Sequence, residues 1–208
     1  GLTDGKSEIL IANRNGRAVR FHESAVRAMG RNATGVRGMT LDDDGRDEVI
    51  GMLTVAQDTE ETILVISEQG YGKRSVVEDY RKTNRGTKGV KTLNITDKTG
   101  ELVAIRPVTD EHDLMIINKS GITIRVHARD ISVQGRATQG VRIIDLKKRG
   151  DDIASVCQVL SEEEEEVSEE VTNEASSSTE ATPIQGEALQ DQLPQEFLDR
   201  ALNEDNNN

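Results

Sequence analysis

Apolar residues along this chain come in short runs, each closed off by polar residues and glycine. Ile9 to Ala12, Ile63 to Ile66 and Leu114 to Ile117 are nearly continuous apolar stretches, too short for helices, and they predict first strands. Each run leads to a turn glycine: Asn15-Gly16, Gln69-Gly70 and Ser120-Gly121. Asn-Gly supplies the positive φ angles of a two-residue hairpin turn, which predicts second strands from Arg17 to Phe21, Tyr71 to Ser75 and Ile122 to Val126.

A polar loop follows, then a third strand is predicted from Val36, Val90 and Val141. Further apolar positions lie three and five residues on: Met39 and Leu41, Leu93 and Ile95, Ile144 and Leu146. That step breaks strict alternation and predicts a bulge near the strand start. Fourth strands are predicted from Val49, Leu102 and Ile153. Two residues into each stands a small residue, Gly51, Ala104 or Ser155, where close approach of a neighbouring backbone is expected.

The pattern is periodic. The turn glycines Gly16, Gly70 and Gly121 are 54 and 51 residues apart. The same spacings relate Arg20, Arg74 and Arg125; Arg31, Arg85 and Arg136; Gly35, Gly89 and Gly140; and the basic trio Arg37, Lys91 and Arg142. Three repeats of about 50 residues follow, over 7–57, 61–109 and 112–160. Four short strands at this period predict an all-β, propeller-like array of blades. A stacked helical repeat is disfavoured, because β-branched residues and turn glycines leave no helix-length window.

Charge divides the chain in two. Residues 161–208 hold 15 acidic residues and one basic residue, Arg200, whereas residues 1–160 hold 25 basic and 23 acidic residues. So acidic a tail cannot bury enough apolar surface to offset its chain entropy and is expected to be disordered. Pro194 to Leu202 could form a short helix on docking, with Phe197, Leu198, Ala201 and Leu202 on one face. No apolar run is long enough to span a bilayer, and no signal peptide is evident. A first residue of Gly rather than Met suggests an excised fragment, and a single cysteine, Cys157, suits a reducing compartment.

In the body, positive charge is concentrated between each turn glycine and the basic residue after the valine column. Windows 16–37, 70–91 and 121–142 hold 16 basic residues and only four acidic ones. Stacked blades would join these windows into one stripe suited to a polyanion. Aromatic residues on which unpaired bases could stack are nearly absent, which points to the backbone of duplex DNA. The candidate contacts are Arg17, Arg20, Arg27, Arg31 and Arg37 in the first window. The second offers Lys73, Arg74, Arg81, Lys82, Arg85, Lys88 and Lys91, and the third Arg125, Arg129, Arg136 and Arg142. A curved stripe would favour bent DNA, and the acidic tail could compete for it.

No catalytic set emerges, and no metal site. Tyr80 shares a column with Val26 and Ile131 and reads as core. His22 and His127 belong to separate blades, and Asp42-Asp43-Asp44 reads as an exposed turn.

The stretches Asn15-Gly16-Arg17-Ala18-Val19-Arg20-Phe21 and Met29-Gly30-Arg31-Asn32-Ala33-Thr34-Gly35-Val36-Arg37-Gly38 closely resemble the C-terminal domain of bacterial DNA gyrase A. So do Gly70-Tyr71-Gly72-Lys73-Arg74 and Gly135-Arg136-Ala137-Thr138-Gln139-Gly140-Val141. The resemblance covers residues 7–160. It implies blades of a β-pinwheel that wraps duplex DNA within an ATP- and Mg-dependent, cytoplasmic, nucleoid-associated type II topoisomerase, beside the rest of gyrase A and its partner gyrase B. No cofactor is implied for this segment. The family's Gln-Arg-Arg-Gly-Gly-Lys-Gly box is missing; Thr83 to Gly89 keeps only Arg85, Gly86, Lys88 and Gly89 of it. The corresponding C-terminal domain of topoisomerase IV is the alternative within that class, and a propeller-like protein-interaction scaffold the alternative outside it.

Overall fold

The computed structural model describes residues 1–43, 45–146 and 150–161. The acidic tail beyond Ser161, with its 194–202 segment, lies outside the described residues, as does Asp44. The first repeat forms β1 (Glu8–Asn13), β2 (Arg17–His22) and β3 (Val49–Val55). The second forms β4 (Thr62–Ser67), β5 (Tyr71–Val76), β6 (Val90–Lys91) and β7 (Leu102–Val108). The third forms β8 (His112–Asn118), β9 (Thr123–His127), β10 (Val141–Arg142) and β11 (Ile153–Leu160). Short 3-10 turns at Glu23–Ala25, Val77–Asp79 and Ala128–Asp130 follow β2, β5 and β9. The fold is all-β with antiparallel sheets, and no α-helix occurs among the described residues.

The sheets do not coincide with the repeats. Their strand orders are β3-β1-β2-β6, β10-β5-β4-β7 and β11-β8-β9. The expected third strand is only two residues long, and it joins the sheet of the preceding repeat. In this way β6 pairs with β2 through Arg17↔Lys91 and Ala18↔Val90, and β10 with β5 through Tyr71↔Arg142 and Gly72↔Val141. The segment at Val36 forms no strand.

The glycine before each exchanged strand makes the crossing possible. Gly89 and Gly140 have φ of +71° and +78°, and a Cβ would stand 2.2 Å from the Ala18 carbonyl oxygen or 2.5 Å from that of Gly72. No side chain fits there, and the left-handed conformation adds to the demand for glycine.

The broken alternation has a different cause from the predicted bulge. After two paired residues the chain leaves the sheet, and the amides of Thr92 and Leu93 both donate to the Gly16 carbonyl, at 2.8 and 3.3 Å. Ile143 and Ile144 do the same to Gly70, at 2.8 and 3.3 Å. Leu93, at the first kink, and Leu146, two residues past the second, are both buried in the core. The bulges lie elsewhere, between first and fourth strands, at Ala12/Asn13, Ile66/Ser67 and Ile153/Ser155.

The hairpin turns also differ from expectation. Three residues, 14–16 and 68–70, link the first two hairpins, and only the glycine has positive φ. The Gly16 and Gly70 amides donate to Asn13 and Ser67 carbonyls at 3.1 Å, the arrangement of a type I turn closed by a left-handed glycine.

Two cores form between blades. Leu10, Ala12, Ala18 and Leu53 pack with Ile63, Val65, Tyr80, Leu93 and Ile105. On the other face of β4, Leu64 and Ile66 join Ala104, Leu114, Ile116, Ile131 and Leu146. The central blade is therefore buried on both faces, which is why its first strand is a continuous apolar run. Gly51 makes room for a side chain rather than a backbone, since a Cβ there would meet Ile105 Cγ2 at 2.8 Å. The corresponding Ala104 is buried and Ser155 is exposed.

Candidate nucleic-acid interface

The arginines that repeat in register mostly hold blades together. Arg20, on β2, is ion-paired with Glu8 and donates from Nη1 to the carbonyls of Val77 and Tyr80, at 2.7 and 3.1 Å. Arg74, one repeat on, donates from Nε to the Ile131 carbonyl at 2.8 Å and pairs with Asp110. Tyr80 and Ile131 share a column, so both arginines reach the same point of the following repeat. Backbone bonds reinforce each junction, Thr83 to Arg20 and Gln134 to Arg74, both at 2.8 Å. Arg125 instead pairs with buried Asp113 at 2.6 Å, which His127 Nδ1 also meets at 2.6 Å.

A second arginine column points the other way. Arg85 donates from Nε to the Ala25 carbonyl at 2.9 Å and from Nη1 to the Arg37 carbonyl at 3.1 Å. Arg136 repeats this on Asp79 and Lys91, at 2.9 and 2.8 Å. Ala25 and Asp79 each end a 3-10 turn, where carbonyls lack partners within the turn.

Lys73 is fully buried and faces no carboxylate at contact distance. Its Nζ donates to the Gly135 carbonyl at 2.6 Å and to Thr138 Oγ1 at 3.1 Å. Burial pushes its pKa down to about 8, with Asp79 and Arg136 pulling in opposite directions. Glu8 is a buried carboxylate whose pKa burial would raise; Lys82, at 2.5 Å, and Arg20 outweigh that and hold it below its ordinary value.

The remaining candidates lie at the surface, Arg17 half-buried and the others exposed. Arg17, Arg27, Arg31, Arg37, Arg81 and Arg129 form no ion pair and no side-chain hydrogen bond with any described residue, and only longer-range attraction from Asp42 reaches Arg17. Arginines outside the windows are engaged: Arg14 with Glu48, Arg106 with the Ile105 carbonyl, and Arg46 also has a partner. Every unpartnered arginine among the described residues thus falls in the three windows. Arg17 and Lys91 stand directly opposite across β2 and β6, a like-charge pairing that is unfavourable without an anion between them. Lys91 is exposed, with Nζ 3.3 Å from Asn94 Oδ1, and Lys88 is paired with Asp42 at 3.0 Å.

The corresponding cross-strand site in the next blade is built differently. Arg142 donates to the Tyr71 hydroxyl at 3.1 Å, lies 5.7 Å from its ring centroid, and has Asp145 at 3.6 Å. Lys98 sits over the same ring at 5.2 Å. Sequence columns gave no sign of Lys98, because its repeat equivalents are Asp44 and Arg149. Phe21, Tyr71 and Tyr80 are all buried, so no aromatic platform is exposed among the described residues. Among the same residues no group of three or more His, Cys, Asp or Glu is placed to hold a metal ion, and no helix is long and apolar enough to cross a membrane.

Comparison with known proteins bears on what this surface serves. The chain is 44% identical over 190 residues to DNA gyrase A of Staphylococcus aureus, a match covering 90% of this chain and 21% of that protein. It thus spans about a fifth of the length of that relative. Among solved structures, the C-terminal domain of DNA topoisomerase IV superposes with a TM-score of 0.70 at 25% identity, covering 77% of this chain and 49% of that one. The DNA gyrase A C-terminal domain gives 0.68 at 26% identity, covering 76% and 52%. Residues 7–56, 61–109 and 112–156 each match the family described as DNA gyrase C-terminal domain, beta-propeller. The chain belongs to that family.

Proposed function

We propose that this chain binds duplex DNA through phosphate contacts along its rim and bends it. In this reading it is a wrapping module of DNA gyrase A, serving an ATP-dependent type II topoisomerase that introduces negative supercoils. The observation that carries the proposal is the segregation of unpartnered arginines into the three windows. An arginine left without a protein carboxylate is suited to a phosphate, whose oxygens match the guanidinium fork. The Arg17–Lys91 juxtaposition adds a place where a bound anion relieves repulsion already built into the sheet.

The proposed contacts are Arg17, Arg27, Arg31, Arg37, Arg81 and Arg129, with Lys82, Lys88, Lys91 and Arg142 beside them. Arg20, Lys73 and Arg74 are withdrawn into blade junctions and are left out. Sequence similarity to DNA gyrase A favours gyrase over topoisomerase IV. ATP and Mg belong, in this reading, to other parts of the holoenzyme, with the remainder of gyrase A and gyrase B as partners in the bacterial cytoplasm.

The test is fluorescence anisotropy with unrelated duplexes and a single-stranded competitor over a range of salt. Backbone binding predicts similar affinity for every duplex, weak competition by the single strand, and a steep linear fall of log affinity with log salt. Affinity indifferent to salt would favour a protein-interaction scaffold.

A further inference from the structure

We infer that Arg85 and Arg136 are positioning residues that set the spacing of successive phosphate-binding loops and so govern DNA curvature; this rests on the DNA-wrapping reading above. The geometry is the same at both junctions. Each guanidinium reaches back to the preceding repeat and takes two carbonyls there, one ending the 3-10 turn and one on the basic residue beside the exchanged-strand column. Arg85 therefore holds the backbone of Arg37, and Arg136 that of Lys91. Those two residues are themselves rim cations.

A backbone bond accompanies each clamp. The Thr40 amide donates to the Thr87 carbonyl at 2.9 Å, and Asn94 does so to Thr138 at 3.1 Å. At the first junction the Gly86 amide also donates to the Gly38 carbonyl at 2.6 Å. Each basic loop is thereby seated on the loop before it. The stripe is not a set of independent charged loops but a chain of loops locked head to tail.

Rigid spacing matters for bending. Duplex shorter than its persistence length of about 150 bp resists curvature, and cations held at fixed separations impose more of it than cations that can follow a straight backbone. Mobile cations would neutralise phosphates equally well and bend the duplex less. Loop spacing thus separates wrapping from binding. Lysine cannot replace arginine in this role, because one ammonium cannot reproduce the planar fork that spans two carbonyls.

The experiment compares wild type with Arg85→Lys, Arg136→Lys and the double variant, and with the matching alanine variants. Affinity and salt slope are measured by anisotropy, and bending by energy transfer between the ends of a duplex of about 60 bp, well below the persistence length. Amide exchange of Thr40 and Asn94 reports whether the loops remain seated. The lysine variants are expected to keep affinity within about twofold and an unchanged salt slope, since no phosphate contact is lost. They should lose at least half of the end-to-end approach seen for wild type, with faster exchange of Thr40 in R85K and of Asn94 in R136K.

Bending by R85K/R136K equal to wild type would overturn the inference. So would alanine variants that lose affinity and salt slope while the lysine variants restore both affinity and bend, because that is the behaviour of a direct phosphate contact. The single variants leave one junction intact, so a folded protein remains even if the double variant unfolds. A wild-type chain that fails to bind or bend duplex would instead sink the wrapping reading itself, whatever the variants do.

Discussion

The backbone of Gly89 crosses that of Ala18 so closely that a Cβ on Gly89 would stand 2.2 Å from the Ala18 carbonyl oxygen. The crossing carries the second repeat into the first sheet, so it should be among the least tolerant points of the fold. Gly89→Ala is expected to cost more than about 2 kcal/mol, combining the left-handed conformation with overpacking against backbone. Gly35 occupies the same column with φ +89°, yet nothing lies within 4 Å of a Cβ there. Gly35→Ala should therefore cost only about 1 kcal/mol. Urea unfolding of the two variants checks the difference.

Arg20 and Arg74 should behave as structural residues. Alanine at Arg20 strands two carbonyls and buried Glu8 at a blade junction, and a loss of about 2–3 kcal/mol is expected. At Arg74 it strands the Ile131 carbonyl, while exposed Asp110 returns to water, and about 1–2 kcal/mol is expected. Arg27→Ala and Arg81→Ala, on exposed side chains without partners, should change stability by less than about 0.5 kcal/mol. Thermal or urea unfolding separates the two pairs.

Lys73 gives a pH signature. Its pKa of about 8 in the folded protein lies below the ordinary lysine value of 10.5, so the unfolded chain binds more protons between those limits. Stability contributed by this group should rise as pH increases from about 8 to about 10.5, by on the order of 1–3 kcal/mol. Lys73→Met, matching apolar Val19 and Ile124 in the same column, should abolish that rise. Unfolding of wild type and variant in parallel over this range provides the check.

Tyr80 acts in the opposite sense. Its hydroxyl meets Thr92 Oγ1 at 2.5 Å in a sealed core, and burial pushes its pKa up to about 12. The stability it contributes is complete below pH 10 and is lost as pH rises through about 12. Tyr80→Phe should cost about 1 kcal/mol at neutral pH and remove this alkaline loss. The same unfolding series, extended to higher pH, measures both.

Much of this was legible in the sequence. The short apolar runs and turn glycines located strands, and the repeat spacing gave the blade architecture. Strand exchange was not legible, because a two-residue strand has the same local pattern whichever sheet it joins. The pairing of Val90 with Ala18 and of Val141 with Gly72 reveals which. The region that gathers the unpartnered arginines was legible, but which of its basic residues are engaged within the protein was not. Repetition of Arg20/Arg74 and Arg85/Arg136 looked like a shared ligand, yet what repeats is the junction between blades. The proposed contacts repeat only in part: Arg37, Lys91 and Arg142 share a column, as do Arg27 and Arg81, but Arg17 corresponds to Tyr71 and Ile122, and Arg129 to Ser24 and Glu78. Lys73 carried no warning, since a lone lysine between valine and isoleucine equivalents reads as surface until its burial is seen.

Everything proposed for function depends on unpartnered rim arginines holding DNA phosphates. The most direct test is the salt dependence of duplex affinity for the variant carrying Arg17→Glu, Arg27→Glu, Arg37→Glu and Arg81→Glu, beside wild type. Four lost phosphate contacts predict a slope of log affinity against log salt shallower by about 3–4, with affinity reduced more than tenfold on every duplex and the urea midpoint unchanged. An unchanged slope and affinity in the folded variant, or a loss confined to one DNA sequence, would contradict it.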